Sequence, residues 1–91
     1  MAAVVIGVDP AKRSNTIEVI DAEEYVLLTA RFENSREDYR RMLALVKRWP
    51  SRTWAVEGAT GVGLSLAQRL VADGERVVDV PSKLSTRVRA I

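Results

Sequence analysis

Two short apolar runs, each closing on a carboxylate, limit what this chain can fold into more than anything else in it. The first is Val4-Val5-Ile6-Gly7-Val8-Asp9. The second is Thr53-Trp54-Ala55-Val56-Glu57, which leads directly into Gly58-Ala59-Thr60-Gly61. Apolar runs of about four to eight residues bounded by turn formers read as buried strands of a largely parallel sheet. In open sheets with helical crossovers, chemistry collects at the carboxyl ends of such strands. Asp9 and Glu57 are therefore the candidate catalytic residues. The chain has no His and no Cys, so a metal at these acids would be a hard cation held through oxygen.

The same two absences remove disulfides, thiolate zinc sites, imidazole metal sites and Ser-His-Asp chemistry. At 91 residues the chain is one small domain or a piece of a larger one, burying only about 60–65% of its unfolded surface. No run approaches the roughly 18 apolar residues that a membrane span requires. The start, Met1-Ala2-Ala3, has no basic stretch and no signal-peptide core follows it. The expectation is a cytoplasmic protein with no membrane partner. Net charge is +2 with a sequence pI of about 9.4, a weak pointer to nucleic acid. Its distribution says more, because Pro81–Ile91 carries Lys83, Arg87 and Arg89 and no acid.

Along the chain, Ala3–Asp9 reads as a first strand stopped by Pro10, with a turn at 11–14. Asn15–Asp21 alternates, with Ile17, Val19 and Ile20 against Thr16 and Glu18, and reads as a second strand. Tyr25–Phe32 is a third. Asn34-Ser35-Arg36-Glu37 looks like a capping box with Asn34 as N-cap. Tyr39, Met42, Leu43, Val46 and Trp49 follow at helical spacing, predicting a helix over 35–49. A fourth strand is expected at Arg52–Glu57 and a second helix at Gly61–Asp73, with Thr60 as its N-cap and Gly74 as its stop. Arg76–Val80 is a fifth strand, and the last ten residues have the pattern to open a third helix. No internal repeat, low-complexity stretch or linker interrupts the chain. The order β-β-β-α-β-α-β, with right-handed crossovers, is that of a ribonuclease H-like mixed α/β sheet.

The segments Ile6-Gly7-Val8-Asp9-Pro10-Ala11-Lys12, Val56-Glu57-Gly58-Ala59-Thr60-Gly61, the helix Leu64–Leu70, Gly74 with Val77-Val78-Asp79-Val80-Pro81, and Lys83-Leu84-Ser85 with Arg87-Val88-Arg89 occur in this order and span nearly the whole chain. Together they resemble the N-terminal domain of the insertion sequence 110 family of transposases. That family has a RuvC-like, ribonuclease H-type domain with an Asp-Glu-Asp-Asp centre. By this resemblance Asp9 is the first acid and Glu57 the second. The last two, three residues apart, would fall beyond Ile91, and Asp79 matches neither. The family's C-terminal domain with its proposed nucleophilic serine is also not in this sequence. The resemblance implies that 1–91 is the incomplete N-terminal part of the transposase domain. It further implies DNA strand cleavage and exchange, Mg²⁺, a homo-oligomer, and a structured guide RNA. DNA contacts would fall to Lys12, Arg13, Lys83, Arg87 and Arg89.

Each feature also has a plainer reading. Asp9 before Pro10 suits a turn cap, and Glu57 suits a solvated acid near the positive end of the second helix. Gly58–Gly63 looks like a phosphate loop, but without the Lys and third spaced Gly of the known fingerprints it reads better as a tight strand-to-helix turn. Arg36, Arg40, Arg41, Lys47 and Arg48 suit a solvated helix face, and Trp49 and Trp54 suit the core. Two close carboxylates repel and call for a divalent cation or a raised pKa. Two metal ions about 3.5–4 Å apart can activate a nucleophile and stabilise the leaving oxygen in phosphodiester cleavage. Two acids hold such a pair poorly, so the 91 residues alone are expected to be inactive, with a two-metal Mg²⁺ site only when the carboxylates beyond 91 are present. One rival reading is a non-catalytic oligomerisation or nucleic-acid-binding remnant. Another is an actin-like ATPase or sugar-kinase piece, disfavoured because Pro10-Ala11-Lys12 replaces the Gly and hydroxyl residues that hold phosphate there.

Overall fold

The computed structural model describes residues 3–80. Five strands and two helices run in the order β1 (Val4–Pro10), β2 (Ser14–Ile20), β3 (Val26–Glu33), α1 (Arg36–Val46), β4 (Arg52–Glu57), α2 (Leu64–Ala72) and β5 (Val77–Val80). They form one mixed sheet in the order β3-β2-β1-β4-β5. The first three strands are an antiparallel meander, and β4 runs parallel to both β1 and β5. The two crossovers, β3 to β4 through α1 and β4 to β5 through α2, step the same way along the sheet. Equal handedness then places both helices on one face.

Alternation decides which side chains meet those helices. Val4, Ile6 and Val8 of β1, Ile17 and Val19 of β2, and Trp54 and Val56 of β4 are buried in one cluster with Tyr39, Met42 and Val46 of α1 and Ala67 and Leu70 of α2. The opposite parity, including Val5, Gly7, Asp9, Ala55 and Glu57, lies on the sheet's other face. Val5, Leu27 and Val78 are 45%, 44% and 46% exposed.

Three local expectations shift, each for an identifiable reason. The N-cap of α1 is Ser35, whose hydroxyl accepts from the Asp38 amide at 3.1 Å, while Asp38 Oδ2 reaches back to the Glu33 amide at 2.7 Å. Asn34 is engaged elsewhere: its Nδ2 donates to the Ala11 and Lys12 carbonyls and its Oδ1 accepts from the buried Asn15. It ties α1 to the β1–β2 turn instead of capping. Helix α1 stops at Val46, three residues short of Trp49. Trp49 precedes Pro50, which disfavours helical geometry there, and its carbonyl accepts from Arg52. Helix α2 begins at Leu64 with Gly63 as N-cap and no capping side chain among the described residues, not with Thr60. Gly58 turns the chain with φ +66, and the Gly61 and Gly63 amides both donate to its carbonyl, so the chain loops once before helix can start. At the other end, Gly74 (φ +83) closes α2, with its amide on Val71 and the Glu75 amide on Leu70, a Schellman motif.

The base of the sheet is held by a polar clasp. Arg52 pairs with Glu75 through two bonds of 2.8 Å, and the indole Nε1 of Trp54, fully buried, donates to Glu75 Oε1 at 2.7 Å. The Arg52 bonds come first among the influences that hold the Glu75 carboxyl below its ordinary pKa; burial opposes them and the indole bond adds to them. Asp38 and Arg41 form an exposed pair on α1, of a kind that contributes little.

Candidate metal centre

Asp9 and Glu57 come together because β1 and β4 are parallel neighbours in matched register. Val8 pairs with Val56, and each acid is the next residue of its strand. Both stand at the carboxyl ends of central strands, on the face opposite the two described helices. Both line one concavity of ≈ 480 Å³ together with Thr16, Glu18, Ala55 and Val80. Asp9 is exposed and Glu57 half-buried, so solvent reaches both. Glu18 is the acid that sequence reasoning passed over. It pairs across from Gly7 in β2 and faces the same concavity. The alternation of Thr16 and Glu18 against Ile17 and Val19 was its signal.

The donors fit a hard cation in kind: carboxylates from neighbouring strands, in a chain with no His and no Cys. They fall short in number. Among the described residues no group of three or more acids is placed to hold a metal ion. Water, substrate phosphate or further carboxylates would have to complete the shell.

The turn between β4 and α2 lies directly behind the pair. Gly58 N donates to Val80 O at 3.1 Å and Ala59 N to Asp79 Oδ1 at 2.9 Å. Asp79 thus faces the helix side, away from Asp9 and Glu57. Among the expected nucleic-acid contacts, Lys12 and Arg13 are exposed in the turn just past Asp9 and Pro10. Lys83, Arg87 and Arg89, with the expected third helix, lie outside the described residues. The basic residues of α1 are exposed, and Trp54 is fully buried while Trp49 packs on the core. No described helix is long and apolar enough to cross a membrane.

A transposase family model, that of the insertion sequence 110 type with an Asp-Glu-Asp-Asp signature, matches residues 6–91. No curated protein matches the chain in sequence. Among solved structures, the large terminase nuclease from thermophilic phage G20c superposes with a TM-score of 0.63 at 15% identity, covering 91% of this chain. The chain spans 45% of that nuclease. At this identity the likeness establishes the ribonuclease H-like fold and no more. The family match covers nearly the whole chain, and this chain belongs to the insertion sequence 110 transposase family.

Proposed function

We propose that residues 1–91 are the N-terminal part of a transposase catalytic domain, in which Asp9 and Glu57 supply two carboxylates of a Mg²⁺ site for DNA strand cleavage and exchange. The observation that carries this reading is the matched register of β1 and β4, which puts both acids in one open concavity. Bound there, Mg²⁺ would supply Lewis-acid stabilisation of charge on phosphate oxygens. The residues' own part is to offer oxygen donors at a fixed spacing and leave room for a phosphodiester on an exposed face. Lys12 and Arg13, beside Asp9, suit contact with backbone phosphates, which bind through charge without reading sequence.

Two acids make a weak site, so the 91 residues by themselves are expected to bind metal poorly and cut nothing. The 45% coverage of the terminase nuclease and the family's second acid pair support a longer working protein. Assembly with further copies and with a structured RNA belongs to the same reading, through the family. The exposed Val5, Leu27 and Val78 favour self-association of the isolated piece.

The test is DNA cleavage by the full-length protein in Mg²⁺, against Asp9→Asn and Glu57→Gln. Both variants should lose cleavage while staying folded. A Glu57→Gln protein that cuts at the parent rate would end the assignment, whereas Mg²⁺-dependent cutting by residues 1–91 alone, abolished by Glu57→Gln, would overturn only the expected inactivity of the piece.

A further inference from the structure

Gly63 is buried at the start of α2, where the helix meets the ends of the two acid-bearing strands. A Cβ built on it would lie 2.7 Å from Val56 Cγ1, 3.1 Å from Pro10 Cγ and 3.2 Å from the Glu57 carbonyl oxygen. Pro10 is bonded to Asp9, and the carbonyl is that of Glu57 itself. The helix start is therefore packed closely against the Pro10 ring that follows Asp9 and against the Glu57 carbonyl, from the face opposite the carboxylates. Asp79 holds the same turn from β5. Its Oδ1 accepts from Ala59 N, two residues past Glu57, while Val80 O accepts from Gly58 N.

We propose that the β4–α2 turn, seated by Gly63 and anchored by Asp79, is a positioning element that sets the spacing of Asp9 and Glu57. The inference rests on the reading of those acids as metal ligands. Gly63 serves here because it has no Cβ, not because of its backbone angle, which is ordinary at φ −86. Val56 is β-branched and completely buried, so it cannot swing aside. A methyl group at position 63 must be accommodated by moving the turn, Pro10 or the Glu57 carbonyl by some tenths of an ångström. Metal constellations need their ligands within about 0.5 Å of the productive geometry. Mg²⁺ demands near-ideal octahedral placement; Mn²⁺ is larger and tolerates a displaced carboxylate better. The signature of positioning is thus a change in metal preference, which a simple loss of stability would not produce.

The experiment measures, for the full-length protein and every variant, Mg²⁺ and Mn²⁺ affinity from the metal-induced rise in melting temperature in each ion, which needs no activity, alongside DNA cleavage with each as sole divalent ion. Gly63→Ala should lower the Mg²⁺ affinity and the Mg²⁺-supported rate by about 10-fold or more relative to those with Mn²⁺, in the range of other mutations behind a metal shell. Adding Val56→Ala removes the closest clash and should move the ratio back toward the parent value even though the fold is weakened. Asp79→Ala should shift the ratio in the same direction, and Asp79→Asn, which keeps an acceptor oxygen, should not. If Gly63→Ala fails to fold, the Asp79 pair decides. A folded Gly63→Ala, or in its absence Asp79→Ala, with the parent ratio overturns the proposal. If instead the parent needs no metal, or Glu57→Gln cuts normally, it is the metal-ligand reading that fails, and the positioning role falls with it.

Discussion

Glu75 is the side chain whose removal should destabilise this fold most for the fewest atoms. Its carboxylate receives two bonds from Arg52 and one from the buried Trp54 indole. The side chains of Arg52 and Glu75 are only 16% and 12% exposed. Glu75→Ala leaves a guanidinium and an indole N–H without their acceptor. Breaking a buried pair by removing one partner costs about 3–5 kcal/mol. A chain of this length has a total stability of about 5–14 kcal/mol, so the variant should be marginal. Glu75→Gln keeps an oxygen for the indole and loses the charge, and should cost about 1.5–3 kcal/mol, the value of hydrogen bonds to a charged group. The pH dependence has a definite sign. The folded pKa of Glu75 is lowered, chiefly by the Arg52 bonds, so its contribution is present above the unfolded value of about 4.3 and is lost as pH falls through the lower folded value. Urea unfolding followed by tryptophan fluorescence at pH 7 and on the acid limb measures both effects. The reasoning is refuted if Glu75→Ala unfolds within about 1 kcal/mol of the parent, or if Glu75→Gln leaves the acid limb unchanged.

Other outcomes follow from single contacts. The Tyr39 hydroxyl, buried and bonded to Asp73 at 2.6 Å, has its pKa raised, first by burial and then by that bond; stability should fall as pH rises past the unfolded tyrosine value of about 10, and Tyr39→Phe should remove that alkaline loss in thermal melts. Gly74→Ala, forced to φ +83, should cost about 1–2 kcal/mol in urea unfolding, whereas Gly61→Ala, at a negative φ and with 3.7 Å to its nearest neighbour, should cost less. Residues 1–91 should scatter light as more than a monomer through the open face, and Val78→Glu should reduce the effect; a monomer at all concentrations contradicts it.

Much of this architecture was legible because its cause is local. Val4–Val8 and Trp54–Val56 read as buried central strands, and the ribonuclease H-like order of elements then made the acids closing them neighbours, as the β1–β4 pairing bears out. Which face the acids take was also implicit, since Asp9 and Glu57 have the opposite parity to Val8 and Val56. What was not legible depends on distant partners. Asn34 had every local qualification for an N-cap, yet the Ala11 and Lys12 carbonyls, more than 20 residues away, claimed its amide. Thr60 failed as a cap because Gly58 reversed the chain first. Asp79 read as a strand acid without a task, and its bond to Ala59 exists only once β5 lies beside β4. The alternation against Ile17 and Val19 gave the face Glu18 takes, but its place in the concavity follows only from the β1–β2 register.

The central claim is that Asp9 and Glu57 share a metal ion. Its most direct test is an anomalous difference map from crystals of the full-length protein soaked in Mn²⁺. A peak is expected on the open face beside Asp9 and Glu57, within the distance of oxygens of both side chains that hard-cation sites show, about 2.0–2.2 Å. A peak bound elsewhere, or carboxylates held more than roughly 10 Å apart, too far for a shared two-metal centre, would contradict it.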